Sequence, residues 1–352
     1  MDPETLMGRC LELARRAAST AAPNPLVGAV LARGERVLAE GWHRAAGLPH
    51  AEVECLRAFG GDRVPEDAVL VVNLEPCAHH GRTPPCADLL IARGVRRAVV
   101  AHADPFARVA GRGIDRMRQA GIEVVLGVRE AEARWTNRRF LTSVSQERPY
   151  IVLKWARSAD GFLDRHPRHE RGVQRISAPA TDVLVHRWRS EEQAVLVGSR
   201  TVVNDDPALT VRHVSGRQPW RVVLDRTGVA PAASKVFDGS APTLLFTGEL
   251  RRDVTVEQVL VPPDGDPLEM VLGTLHEKGV RSLLVEGGAE LLGHFLHRGR
   301  WDEARVITGA HAFGAGTRAP LPPVPPVRSF ASAADRIDLH VNGTTPEDTW
   351  CW

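Results

Sequence analysis

One histidine, one glutamate and two cysteines are spaced as a hydrolytic metal site requires: His50-Ala51-Glu52, then Pro76-Cys77, then Cys86. An imidazole and two thiolates form a ligand set suited to Zn²⁺, with the fourth tetrahedral position open for water. Zinc lowers the pKa of such a water to about 7. Glu52, two residues beyond the histidine, can move protons for that water without occupying the metal. The pattern approaches the H-x-E…P-C-x-x-C signature, in which the glutamate is not a ligand. It differs in one respect: eight residues, Ala78 to Pro85, separate the cysteines.

Each part has a plainer reading. His-Ala-Glu at a helix start is commonly a cap with an exposed acid, and cysteines beside prolines can be buried apolar groups. His79 or His80 could supply a fourth ligand and close the site into a structural zinc centre. Cys10, Cys55 and Cys351 read as core or terminal thiols.

The elements that must position these residues alternate. Helical spacing covers Glu4–Ala18, and Leu26–Leu31 with Arg36–Trp42 reads as a hairpin through Arg33-Gly34. A helix opens at Ala51 directly after Pro49-His50, and the β-branched run Val69–Leu74 reads as a central strand. That strand delivers Pro76-Cys77 to the carboxyl edge of a sheet, and Pro84-Pro85 restarts the chain as a helix beginning at Cys86. Two helix starts then face one sheet edge, where they favour carboxylate and hydroxide. Asp88–Arg93 and Ile114–Ala120 read as helices; Arg97–Ala101 and Ile122–Leu126 read as strands. A polar helical segment, Arg129–Arg148, ends before Pro149, the expected domain junction. Strands follow at Tyr150–Trp155, Ala194–Val197, Arg221–Leu224, Thr243–Phe246, Ser282–Val285 and Ala304–Thr308. Helical spacing lies between them at Thr181–Trp188, Pro267–Glu277 and Glu290–Leu296. The Pro-rich stretch Pro320–Pro326 is an exposed connector to a terminal β segment. Both halves are therefore α/β, with domains expected over 1–146 and 148–352.

Composition narrows the class. Hydrophobic residues are 43% and charged residues 25% of 352, with 45 Lys plus Arg against 43 Asp plus Glu. That near-balance offers no global attraction for nucleic acid or an anionic membrane, and 5% aromatic residues leaves few platforms for stacking bases. A base deaminase acting on RNA, with the second half as a binding module, is thereby disfavoured. No apolar run approaches the roughly 18 residues of a membrane span, and the acidic Met1-Asp2-Pro3-Glu4 does not read as a signal peptide. Five cysteines in so long a chain fit a reduced cytoplasm better than a disulfide framework.

Here the residues reach a family. Ala22-Pro23-Asn24-Pro25-Leu26-Val27-Gly28-Ala29-Val30, Gly41-Trp42-His43, Pro49-His50-Ala51-Glu52 and Leu74-Glu75-Pro76-Cys77-Ala78-His79-His80-Gly81-Arg82-Thr83-Pro84-Pro85-Cys86 resemble the bifunctional riboflavin-biosynthesis deaminase/reductase. The long inter-cysteine loop, Asp104-Pro105 and Val109-Ala110-Gly111-Arg112-Gly113 match it too. The resemblance implies an N-terminal cytidine-deaminase-like α/β/α layered domain. Zinc would sit on His50, Cys77 and Cys86, with Glu52 as proton shuttle and Asn24 and His43 holding a pyrimidine. From the residues alone, Asn24 between two prolines is equally a turn residue.

Lys154–Gly161, Asn204–Arg212 and Leu284-Val285-Glu286-Gly287-Gly288 resemble the family's reductase half, implying a dihydrofolate-reductase-like α/β domain that uses NADPH to reduce a ribosyl chain. Carried over by position, Ala156, Thr201, Asp205 and Gly288, Ala289, Glu290, Leu291, Leu292, Gly293 and His294 would line the cofactor. Arg189, Leu209, Arg212 and Glu286 would hold substrate. The physics agrees in part: Gly287-Gly288 after a strand lets backbone approach a ligand at a helix start, and guanidinium suits a ribose phosphate. Equally, Gly-Gly can be a plain turn and the two arginines solvated charges.

The chain departs from the family at Arg175, where an aromatic residue is usual, and at Arg226, where a serine is common. It also departs in the Arg/His-rich 165–175 segment and in Val306–Ala310, which lacks a proline. One reading is that the added arginines grip a 2′-phosphate and favour NADPH over NADH; the other is a reductase half that has lost catalysis. The whole is expected to be a cytoplasmic homo-oligomer, dimer or tetramer, acting on small pyrimidine ribosyl phosphates.

Overall fold

The computed structural model describes residues 1–79, 84–105, 111–168 and 170–345, and two compact units divide the chain between Glu147 and Arg148. Among these residues no helix is long and apolar enough to cross a membrane.

Unit 1 is a three-layer sandwich. Its elements run α1 (Pro3–Arg15), β1 (Gly28–Arg33), β2 (Arg36–Trp42), α2 (Ala51–Phe59), β3 (Val69–Val72), α3 (Cys86–Ala92), β4 (Arg97–Val100), α4 (Arg112–Gln119), β5 (Glu123–Leu126), α5 (Glu130–Thr136) and α6 (Arg138–Gln146). The sheet order is β2-β1-β3-β4-β5, antiparallel across the first three strands and parallel across the last three. Strand alternation splits the side chains between two cores. Leu31, Leu70, Val72 and Val100 pack against Cys55 and Leu56 of α2, Leu90 of α3 and Met117 of α4. Val30, Val71 and Val99 pack on the other face against Leu6, Met7 and Cys10 of α1 and Ala133 of α5.

Close approach fixes α2. A Cβ on Gly41 would lie 2.3 Å from the Cys55 nitrogen and 2.6 Å from the Ala51 oxygen, so only glycine lets β2 touch this helix. The 129–148 segment, expected as one helical stretch, forms two helices that meet at Asn137. The Asn137 side chain accepts the Leu26 N–H at 2.7 Å and donates to the Leu26 carbonyl at 3.1 Å. That tertiary contact, absent from any local pattern, accounts for the break.

Unit 2 comprises β6 (Tyr150–Arg157), β7 (Phe162–Arg165), α7 (Asp182–Glu191), β8 (Ala194–Gly198), α8 (Ser199–Asp205), β9 (Trp220–Asp225), β10 (Thr243–Thr247), β11 (Glu257–Leu260), α9 (Pro267–Glu277), β12 (Ser282–Val285), α10 (Ala289–His297), β13 (Glu303–Thr308), β14 (Gly316–Arg318), β15 (Arg328–Ser332) and β16 (Asp335–Val341). Its large sheet runs β11-β10-β9-β8-β12-β6-β13-β16-β15; all pairs from β11 to β13 are parallel, and β16 and β15 are added antiparallel. β7 and β14 form a separate ribbon. One face packs on α9 and α10 through Leu272, Leu292 and Phe295, the other on Val202 of α8 and Phe237. In both units the parallel strands end on one sheet edge, where loops and helix starts gather ligand groups.

Candidate functional site

In unit 1 the chain brings three soft donors together. His50 is the N-cap residue of α2, extended at φ −70° and ψ 163°. β3 ends just ahead of Cys77, and Cys86 is the first residue of α3, after Pro85. The ligand atoms of His50, Cys77 and Cys86 lie within 4.8 Å of one another. His50 Nδ1 stands 3.6 Å from Cys77 Sγ and 3.3 Å from Cys86 Sγ. A tetrahedral zinc with ordinary Zn–N and Zn–S bonds needs N···S edges of about 3.6 Å, so the donor set fits that ion. His79 is exposed and does not join the cluster; His80 lies outside the described residues. Among the described residues there is no fourth protein ligand, as a closed structural centre would require.

The surrounding electrostatics suit a metal. The Cys86 thiol, the His50 ring and the Cys86 N–H, at 3.3 Å, all face Cys77 Sγ, and together they pull the Cys77 thiol down to about 4. Cys86 is pushed up by sharing its proton with Cys77, so the pair releases its first proton readily. Glu52 is buried beside these ligands, and that burial raises its carboxyl to about 6 against the opposing pull of His50.

Asn24 and His43 meet next to this cluster. Asn24 Nδ2 is 3.0 Å from His43 Nε2, and His43 Nδ1 is 3.0 Å from the Pro49 carbonyl. Donation to Pro49 leaves Nε2 as the acceptor of the Asn24 amide. Burial lowers the His43 pKa, which keeps the ring neutral. The His43 and His50 rings stand edge to face at 5.7 Å.

In unit 2 the expected substrate residues converge. Arg189, Leu209 and Arg212 line a cavity of 570 Å³, together with Arg171, Lys235 and Asp205, the last of which was expected beside the cofactor. Glu286, at the end of β12, backs Arg189 through hydrogen bonds of 2.5 and 2.8 Å and also receives Lys154 at 3.5 Å. Arg212 is exposed; its guanidinium donates to Thr210 Oγ1 at 2.8 Å.

The expected cofactor residues are spread more widely. α8 and α10 start side by side, so a Cβ on Gly288 would lie 3.6 Å from Thr201 Oγ1. Gly288 caps α10 without a side chain, so its first-turn amides have no side-chain cap among the described residues and suit an anion. Ala289 and Gly293 line a separate groove of 350 Å³ with Leu296, His297 and Arg318. Leu291 and Leu292 point into the core, Glu290 pairs with Arg200 at 3.2 Å, and His294 is exposed. Ala156 lies on β6 opposite Ile307 of β13.

The departing arginines have partners. Arg168 donates to Asp205 at 2.8 Å and to the Asn204 carbonyl at 2.9 Å, Arg171 lies 3.4 Å from Asp206, and Arg175 pairs with Asp182 at 2.9 Å. Arg226 is exposed and donates to the Pro263 carbonyl. Sequence reasoning missed His186, whose Nδ1 accepts the Arg212 N–H at 2.9 Å, and Lys154 and Lys235, whereas Arg171 belongs to the 165–175 segment already singled out. Only Lys154 carried a local signal, inside the Lys154–Gly161 motif; the others depend on contacts that spacing does not encode.

Comparison with known proteins agrees with this geometry. Residues 1–102 match the cytidine and deoxycytidylate deaminase zinc-binding region, and residues 149–338 match the RibD C-terminal domain. The riboflavin biosynthesis protein RibD of Aquifex aeolicus is 40% identical over 318 residues, covering 88% of this chain and 87% of its own. The chain belongs to the RibD family of riboflavin-biosynthesis proteins. The Escherichia coli RibD is 38% identical over 336 residues, with 90% of each chain covered. A crystal structure from Thermotoga maritima, a diaminohydroxyphosphoribosylaminopyrimidine deaminase/5-amino-6-(5-phosphoribosylamino)uracil reductase, superposes with a TM-score of 0.86 at 35% identity, covering 96% of this chain and 97% of its own. The RibD family thus joins a zinc-binding deaminase region to a reductase domain, in the order found here.

Proposed function

We propose that this chain catalyses two successive steps of flavin synthesis: hydrolytic deamination of 2,5-diamino-6-ribosylamino-4(3H)-pyrimidinone 5′-phosphate in unit 1, then NADPH-dependent reduction of the ribosyl chain of the uracil product in unit 2. The observation that carries the first step is a buried Glu52, with its carboxyl raised to about 6, against a three-donor metal cluster.

His50, Cys77 and Cys86 would hold zinc, which when bound would supply Lewis acidity and lower the pKa of a bound water to about 7. Glu52 accepts the proton of the attacking water and returns it to the departing amine; a carboxyl near 6 is suited to both transfers at neutral pH. The neutral His43 orients the Asn24 amide, whose carbonyl oxygen is left to accept from the pyrimidine edge.

In unit 2 Arg212 carries the substrate phosphate. It is exposed at the cavity wall and has no carboxylate partner among the described residues. Arg189, locked to Glu286, adds a second donor of fixed direction. The amides at the start of α10, which Gly288 does not cap with a side chain, would receive the cofactor's pyrophosphate, and Thr201 flanks Gly288 there. Hydride transfer is the cofactor's chemistry, and these residues orient it. Cysteine usage supports a cytoplasmic setting; the expected dimer or tetramer is read by sedimentation.

Incubation with the diaminopyrimidine phosphate, with and without NADPH, followed by mass analysis tests both steps. The deaminated product should accumulate without NADPH and the ribityl product should form with it. Unchanged substrate in both arms would reject the reading; the deaminated product alone in both would reject its second half.

A further inference from the structure

We infer that Glu75 is the positioning residue of the metal centre: its carboxylate locks the segment carrying Cys77 to Asp104 and to the Gly111–Ile114 start of α4. This rests on the metal reading of His50, Cys77 and Cys86 proposed above.

Glu75 is buried two residues before Cys77, and both of its oxygens act as acceptors. Oε2 takes the N–H of Asp104 and the N–H of Gly111, each at 3.0 Å. Oε1 takes the N–H of Gly113 at 2.8 Å and of Ile114 at 3.3 Å. The backbone N–H of Glu75 itself donates to the His102 carbonyl at 3.0 Å. The cap residue of α4 is Gly111, at φ 77°, which has no side chain to offer the first-turn amides. Glu75 supplies that cap from another part of the chain.

A second contact pins the same two segments. A Cβ on Gly113 would lie 2.0 Å from the Pro76 carbonyl oxygen, so α4 sits directly on the residue preceding the ligand. On the far side Cys77 is held by Ala87, whose N–H reaches its carbonyl at 3.2 Å, and by Cys86, whose N–H reaches its sulfur at 3.3 Å. The place of Cys77 is therefore set by backbone anchored on both sides. A glutamine at 75 keeps one acceptor oxygen and turns an NH₂ toward the other pair of N–H donors. One pair must then lose its acceptor, and the Pro76-Cys77 segment is released.

The test uses the full-length chain as Glu75→Gln, Gly113→Ala and a control, Met7→Ala, buried under the opposite face of the same sheet. Zn²⁺ affinity is measured by competition with a chelator, and Co²⁺ serves as a spectroscopic probe of ligand geometry. Glu75→Gln and Gly113→Ala should each weaken Zn²⁺ binding by roughly 10- to 100-fold, the usual effect of disturbing groups outside the ligand shell. Both should also shift the cobalt d–d bands. Met7→Ala should lower thermal stability and leave the bands in place. Wild-type affinity and spectrum in Glu75→Gln, or an equal band shift in Met7→Ala, would overturn the inference. A wild-type chain that takes up neither ion would instead remove the metal reading beneath it.

Discussion

Replacing Glu286 with glutamine tests whether the ion pair at the reductase cavity is worth what its geometry says. The Glu286 carboxylate is 2.5 and 2.8 Å from Arg189 and 3.5 Å from Lys154. Burial alone pushes its pKa up, but Arg189 and then Lys154 outweigh that and hold it at about 2, against an ordinary 4.5. That depression corresponds to about 3 kcal/mol at neutral pH. Removing one partner of a buried pair typically costs about 3–5 kcal/mol, because the remaining charge is left uncompensated. A depressed carboxyl stabilises fully above its unfolded pKa and loses that contribution as pH falls, so the gap between wild type and Glu286→Gln should be constant down to about pH 4.5 and close towards pH 2. Hydrogen exchange read on peptides covering β8 and β12 isolates the opening of unit 2. At pH 7 Glu286→Gln should lower that opening free energy by about 3 kcal/mol, and adding both Arg189→Met and Lys154→Met should restore most of it, since neither cation facing residue 286 is then left uncompensated. A loss below about 1 kcal/mol, the range of solvent-exposed pairs, would refute the argument.

Glu52→Gln should keep one zinc per chain by metal analysis while deamination falls by roughly 10²- to 10⁴-fold; near-normal turnover would take Glu52 out of the proton transfers. Arg212→Ala should raise the KM of the reduction and leave kcat near its wild-type value, because a phosphate grip acts on ground and transition states alike; an unchanged KM would contradict that role. Burial, followed by the charges of Arg189 and Arg212, lowers the His186 pKa to about 4, so the ring stays neutral and accepts the Arg212 N–H. Its contribution is complete above about pH 6.5 and declines as pH falls towards 4. The reductase KM reads the folded ring, so it should stay level until pH falls towards about 4 and rise there; a flat profile through that range would exclude the contact as a positioning device.

Much of the candidate site could be read from local sequence, because proline, strand and helix-start signals surround its donors. The β-branched 69–74 run, Pro76-Cys77 and Pro84-Pro85-Cys86 place two thiols at one sheet edge without tertiary information. The strand–helix alternation of both halves was legible for the same reason: faces follow from spacings of two and 3.6 residues. Short or polar elements were not. α8 has seven residues and a single buried one, β11 is a partly exposed edge strand, and β7 of the β7–β14 ribbon runs into the Arg/His-rich segment at Arg165. The break at Asn137 depends on Leu26, 111 residues away.

The sequence by itself determined the donor chemistry, the layered α/β class and the family. Only the tertiary structure decided which groups meet: Glu52 with the metal ligands in a buried pocket, Asn24 with His43, and Arg189 with Glu286 across 97 residues of chain. The reason is physical. Local periodicity fixes the face on which a side chain lies, whereas the protonation and orientation of a catalytic group are set by burial and by charges that only the folded crossing of distant segments brings near.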